Sequence, residues 1–247
     1  MRSVALEIAV QDAAGARIAF AAGADRVELC QALSATGGLT PSPGTVDAVS
    51  EAAGGGARVA VLVRPRPGGF VYDSEEVALV TSDIREVVRR GAGGVVVGAM
   101  ALDGGVDMDA MRRWTDAADG AEVAFHRAID VAADPVRVMD QLVELGAHRV
   151  LTSGGAVRSL DGFAVIASLI ERSAGRVQVM PGGGVRVEDI ARFVAAGADA
   201  VHLSARAASA DVSPSGPGGG AAGFDVTDRA VVEAARAALD GALAGAA

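Results

Sequence analysis

The chain of 247 residues is long enough for one large core; 51% of it is apolar and only 3% aromatic, so that core is built from Val, Ala, Leu and Ile. A net charge of -9 excludes a nucleic-acid or anionic-membrane surface, since both call for clustered basic side chains. Every basic side chain among the 22 Lys and Arg is an Arg, which removes lysine Schiff bases, pyridoxal phosphate and the phosphate-loop lysine, and a single cysteine excludes an internal disulfide.

In chain order, eight short apolar runs read as strands: residues 4–9, 26–29, 59–63, 94–97, 122–125, 149–151, 176–180 and 200–203. One phrase recurs before several of them. Ala22-Gly23-Ala24-Asp25-Arg26-Val27-Glu28-Leu29 returns as Leu145-Gly146-Ala147-His148-Arg149-Val150-Leu151-Thr152 and as Ala196-Gly197-Ala198-Asp199-Ala200-Val201-His202-Leu203, and more loosely over residues 90–98. Each copy closes a helix on glycine, turns, and enters a strand. Between strands lie helices with start signals. Ser42-Pro43 and Asp134-Pro135 pair a capping side chain with proline at the first helical position. Ser74, Asp107 and Asp161 are expected to cap three more, and residues 75–90 carry apolar positions three and four apart. Residues 207–223, rich in Ala, Gly, Ser and Pro, read as a mobile loop, and residues 226–243 as a closing helix.

Strand then helix, eight times, gives an α/β fold: a single-domain (β/α)8 TIM barrel over residues 1–247. The segment after the first strand, Val10-Gln11-Asp12-Ala13, lacks the dinucleotide fingerprint, so neither NAD nor FAD is expected. No apolar run reaches transmembrane length, so the expectation is a cytoplasmic protein with no membrane partner.

In such a barrel the chemistry sits at the carboxyl ends of the strands. Glu7 and Glu28 lie in otherwise apolar runs, where a carboxylate needs a partner or a proton. Arg64, Arg66 and Arg127 are the expected counter-charges, with Arg64 and Arg66 sharing a strand face. Two readings stand side by side: a structural ion-pair network, or an acid/base pair beside an anion clamp. Phe125-His126-Arg127-Ala128-Ile129-Asp130 sets a titratable ring, a cation and a carboxylate at one strand end, with His126 as proton carrier or as a hydrogen-bonded core histidine. His202 and Ser204 share a face at the eighth strand, and His148, at the opposite end, is structural. Gly182, Gly183 and Gly184 follow the seventh strand, where barrels often bind phosphate, with Thr152 and Ser153 adding hydroxyls after the sixth. Gly37-Gly38-Leu39-Thr40 either folds over the mouth as a lid or is a turn feeding the Ser42-capped helix. The enzyme reading is proton transfer on a small, possibly phosphorylated anion, with Glu7, Glu28 and His126 catalytic; whether the chain is an enzyme stays open.

These motifs together resemble the CutC family. Leu6-Glu7-Ile8, Arg26-Val27-Glu28-Leu29-Cys30, Gly37-Gly38-Leu39-Thr40-Pro41-Ser42, Arg64-Pro65-Arg66, Phe125-His126-Arg127-Ala128, Arg149-Val150-Leu151-Thr152-Ser153-Gly154 and Val201-His202 carry the resemblance in order from about residue 6 to 205. It implies a TIM barrel, a homo-oligomer, and a role in copper homeostasis with copper as ligand. Cu(I) prefers sulfur, so the implied metal ligand is Cys30. Some family members carry a second cysteine after Leu-Glu-Ile, where this chain has Ala9. Met100 and Met180 are the other sulfur atoms at strand ends.

Overall fold

A computed structural model describes residues 3–209 and 223–245. Eight strands, β1 (Ala5–Val10), β2 (Arg26–Leu29), β3 (Val59–Leu62), β4 (Gly94–Val97), β5 (Glu122–Phe125), β6 (Arg149–Thr152), β7 (Gln178–Pro181) and β8 (Ala200–Leu203), pair in parallel in the order β7-β6-β5-β4-β3-β2-β1-β8. The Asp199 N–H donates to the Val179 carbonyl at 3.0 Å, joining the last strand to the seventh and closing the ring as a TIM barrel. The main helices are α1 (Ala13–Ala21), α2 (Leu33–Thr36), α3 (Pro43–Ala52), α4 (Ser74–Arg89), α5 (Met108–Ala117), α6 (Pro135–Leu145), α7 (Phe163–Ser173), α8 (Ile190–Ala196) and α9 (Arg229–Gly245). None among the described residues is long and apolar enough to cross a membrane.

The core has two parts. Outward strand residues such as Leu6, Ile8, Val27, Val95 and Val150 pack on the helices in one large cluster. Inside the barrel lie two smaller ones: Cys30, Ala60, Leu62, Val96 and Ala124, and across from them Leu151, Met180, Ala200 and Ala5. Small inward residues leave room for charged ones in the same ring.

The repeated phrase has a structural reason. In three copies its polar residue accepts the N–H of the second residue of the preceding strand: Leu6 N–H to Asp25 at 2.7 Å, Val123 N–H to His148 Nδ1 at 3.1 Å, and Val179 N–H to Asp199 at 2.8 Å. That strand end would otherwise leave an unmet donor. Each bond ties one strand to the next, and His148 is such a tie.

Several expected boundaries shift. The cap of α4 is Asp73, not Ser74, because Asp73 and Glu76 form a reciprocal capping box. Asp161 caps nothing; Gly162 precedes α7 with no side-chain bond. The strand expected over residues 176–180 starts at Gln178, since Arg176 turns back to the Ser173 carbonyl. The closing helix begins at Arg229, because Val226 belongs to β10 (Asp225–Thr227), antiparallel to β9 (Arg206–Ala208). Ala207 and Ala208 of the expected loop are therefore strand; residues 210–222 of it lie outside the described residues.

Candidate functional site

An ionic column stands inside the barrel, and strand register builds it. Glu7 lies opposite Arg26 on β2 and opposite His202 on β8. The Arg26 guanidinium pairs with Glu7 Oε2, and His202 Nδ1 sits 2.8 Å from Glu7 Oε1 and 3.7 Å from Glu28 Oε2. Burial alone would raise the Glu7 carboxyl, but Arg26 and His202 overcome it and hold Glu7 down to about 2. Burial lowers His202, yet the Glu7 hydrogen bond and the Glu28 charge carry it above its ordinary value. Glu28 has no guanidinium: burial and the neighbouring Glu7 charge push it up to about 7, against the pull of His202. Its Oε2 is buried without a hydrogen-bond partner among the described residues.

The expected counter-charges are elsewhere. Arg64, Arg66 and Arg127 pair with neither Glu7 nor Glu28 among the described residues. Arg66 turns out of the barrel to Glu76 and the Gly69 and Val71 carbonyls, because β3 ends at Leu62 and strand alternation stops before it. Arg127 binds Asp130 at 2.7 Å and Ser153 Oγ at 2.8 Å. Arg64 is buried, at 7% exposure, and donates to three carbonyls: Thr36 (2.9 Å), Gly38 (3.2 Å) and Gly68 (2.8 Å). It has no carboxylate at ion-pair distance among the described residues, and its Nε has no partner.

A cavity of about 350 Å³ opens at the carboxyl ends of the strands. Glu28, His202 and Ser204 form one wall, Arg64, His126 and Phe70 another, and Arg127, Gly183 and Gly184 a third. Gly37 lines it as well, so the Gly37-Gly38 segment does reach over the mouth, held there by Arg64. Gly183 has φ +97°, and a Cβ there would lie 2.9 Å from the Arg127 Cζ. The N–H groups of Gly183 and Gly184 donate to nothing among the described residues.

His126 is also buried. Its Nδ1 accepts the Ala128 N–H at 3.2 Å, its ring packs 4.9 Å from Phe70, and its Nε2 has no partner among the described residues. Burial and the Arg64 charge depress it to about 3, so the ring is neutral with its proton on Nε2.

Some expected site residues stand behind the cavity. Thr152 and Ser153 spend their hydroxyls on Asp130, at 2.6 and 2.9 Å, positioning Arg127 rather than meeting a ligand. Gly182 is wedged against Leu151 and His202. Glu7 lies beneath the floor, 1% exposed. Sequence reasoning missed Arg26, although it shares a face with Glu28 two residues on. It also missed Phe70, which lines the mouth from the segment after β3, and Arg206, which lines it from the start of β9.

The strand-end sulfur atoms lie in three separate clusters among the described residues. Cys30 lies among Ala60, Leu62, Val96 and Ala124, closed over by Gly38. Burial, and then Glu28, push its thiol up, whereas a metal-bound thiol must lose its proton. Met180 Sδ accepts from the Arg26 guanidinium at 3.4 Å, and Met100 packs on the helix side of the strands. Glu7, Glu28 and His202 bring ligand-type atoms within 4.8 Å of one another, but Arg26 already supplies the positive charge there.

The CutC family model matches residues 4–207. A family protein CutC from Xanthomonas axonopodis pv. citri is 46% identical over 213 residues, covering 85% of this chain and 87% of that protein. One from Xylella fastidiosa strain Temecula1 is 46% identical over 205 residues, covering 83% of this chain and 76% of that protein. Among solved structures, CutC of Streptococcus agalactiae, named for copper homeostasis, superposes with a TM-score of 0.76 at 30% identity, covering 82% of this chain and 99% of that one.

Proposed function

Because the chain belongs to the CutC family, we propose that it serves copper homeostasis, the role for which its S. agalactiae relative is named, and that it does so by binding a small anion at the barrel mouth rather than by caging Cu(I). The family match supports the role. The anion rests on one observation: Arg64 is a buried cation in the cavity wall with no carboxylate beside it among the described residues. A buried charge left without a counter-charge is costly, and an anionic ligand supplies one. Gly183, Gly184 and the Arg127 guanidinium offer further donors to the same ligand.

Two measurements test this. Anaerobic Cu(I) titration against a chromogenic chelator is expected to leave no stoichiometric copper on the protein, with Cys30→Ala identical; one Cu(I) per chain, lost in that variant, overturns the proposal. Thermal unfolding with added phosphate is expected to raise the wild-type midpoint by about 2–4 °C for each kcal/mol of binding, and to leave Arg64→Met unmoved. Equal response in both proteins removes Arg64 as the anion site. In a strain lacking the gene, wild type and Cys30→Ala are expected to restore copper tolerance, and Arg64→Met is not.

A further inference from the structure

Among the described residues, three buried side-chain atoms in the cavity walls have no hydrogen-bond partner, and beside Arg64 Nε the other two are of opposite kind. Glu28 Oε2 is an acceptor with no donor, and His126 Nε2, because Nδ1 is occupied by the Ala128 N–H, is a donor with no acceptor. Two chemistries that barrel mouths often host are absent. There is no lysine for a Schiff base, and the sole thiol is sealed under Gly38. What remains is a base, a neutral proton donor and a cation around one space.

We propose that this cavity is an active site for proton transfer at the carbon next to a carbonyl group, acting on a small hydroxy-carbonyl compound with an anionic end. The activity rests on the small-anion reading above and gives that anion a reaction. Glu28 as carboxylate takes the proton from the carbon. The C–H electron pair becomes the new C=C bond, and the carbonyl π pair moves onto oxygen, giving an enediolate. His126 Nε2–H donates to that oxygen, and Arg64 beside it offsets the developing charge. Arg127 with the N–H groups of Gly183 and Gly184 holds the anionic end. Glu28 then returns its proton to the neighbouring carbon while the hydroxyl proton passes from one oxygen to the other through His126. The product is the isomeric carbonyl compound, no electron leaves the substrate, and the protein ends as it began.

The surroundings suit those roles. Burial with Glu7 nearby makes Glu28 a stronger base than a solvated carboxylate, at about 7. Burial and Arg64 keep His126 neutral, so it donates a hydrogen bond without being an acid that traps the base. A carboxylate base with a neutral imidazole is a known solution for this step. Glu7, ionised and paired to Arg26 and His202, is a positioning residue: it holds the His202 ring that stands against Glu28.

The test is proton NMR in D₂O with three probes: dihydroxyacetone phosphate and ribulose 5-phosphate for a phosphate end, hydroxypyruvate for a carboxylate end. The wild-type protein is expected to exchange the proton beside the carbonyl in at least one. Glu28→Gln is expected to slow that exchange by about 10³-fold or more, and His126→Ala by about 10²–10³-fold in kcat with little change in KM. Glu28→Gln, purified identically, also measures any contaminating isomerase, and its circular dichroism reports folding. Inorganic phosphate binding by calorimetry is measured in parallel. Phosphate bound with no exchange of any probe overturns the activity and leaves the anion site standing. Neither binding nor exchange overturns both, and exchange at the same rate in Glu28→Gln overturns the assignment of the base.

Discussion

Arg149 and Arg64 are both buried, one toward each end of the barrel, and their surroundings differ in kind. Arg149, at 3% exposure, pairs with Glu122 at 3.1 Å and donates to Gln178 at 3.0 Å. Arg64, at 7%, donates to three carbonyls and lies over the Phe70 ring at 5.1 Å, but among the described residues it has no carboxylate at ion-pair distance and its Nε has no partner. The amino end of the barrel is thus a finished ionic plug made of its own side chains. Among the described residues the mouth is unfinished in the same electrostatic sense: a cation without a carboxylate beside it, a carboxylate oxygen without a donor, an imidazole N–H without an acceptor. Buried polar groups are normally satisfied, so orphans gathered on one cavity mark where a ligand completes the structure. Arg26, Glu7 and His202 link the two ends and belong energetically to the finished one.

The sharpest way to break this contrast is to remove one arginine from each side of it. Arg26→Ala leaves Glu7 buried with His202 hydrogen-bonded to it and Arg149 as the nearest remaining guanidinium charge, and is expected to cost about 3 kcal/mol, since breaking a buried pair strands its partner. Arg64→Met removes a charge that has no carboxylate at ion-pair distance among the described residues, and is expected to cost about 1 kcal/mol or less, the loss of carbonyl hydrogen bonds being offset by the desolvation no longer incurred. Urea unfolding of both variants measures this. Equal losses would mean that Arg64 is as structural as Arg26.

Next come the two glutamates, whose effects on stability have opposite slopes with pH. Glu7 is depressed in the folded protein from 4.5 to about 2, so its contribution is fully present above the unfolded value and is lost as pH falls through 2. Glu28 is raised from 4.5 to about 7, so the folded state holds the extra proton, and stability falls as pH rises from 4.5 to 7. Glu7→Gln is therefore expected to destabilise at neutral pH and to converge with wild type near pH 2. Glu28→Gln is expected to match wild type below pH 4.5 and to be more stable than it at pH 8, by on the order of 1–3 kcal/mol. Denaturation midpoints from pH 2 to 8 decide it; a Glu28→Gln protein less stable at pH 8 would place Glu28 with the plug, not with the site.

The barrel was legible in the sequence because its cause is local. The Gly-turn-strand phrase repeats, and periodicity places all eight strands to within about two residues of their observed ends. The candidate site was legible wherever a polar residue ends a strand: Glu28, His126, Arg127 and His202 all reach the cavity. It was not legible where the answer is non-local. That Arg26, and not Arg64, pairs with Glu7 follows from the register between β1 and β2, which no single segment encodes. Arg66 was carried into the barrel by extending alternation through Pro65, past the point where β3 ends. Thr152 and Ser153 stand at a strand end as expected, but Asp130, from the segment after β5, claims both hydroxyls. The α4 cap was a different kind of miss, since Asp73 and Glu76 carry the capping-box spacing in plain view.

The smallest effect tests the repeated phrase itself, far from the mouth. Asp199 accepts the Val179 N–H at the start of β7, on the finished side of the barrel. Removing that acceptor in Asp199→Ala leaves a strand-end donor short of a partner and is expected to cost about 1 kcal/mol. Asp199→Asn keeps a side-chain oxygen and is expected to recover most of it. His148→Ala, which removes the corresponding tie to Val123, is expected to behave like Asp199→Ala. Neither side chain reaches the cavity, so phosphate should raise the unfolding midpoint of both alanine variants by as much as it raises wild type. If His148→Ala instead lost the phosphate response, the two ends of the barrel would be coupled, and the division between a structural end and a ligand-binding end would fail.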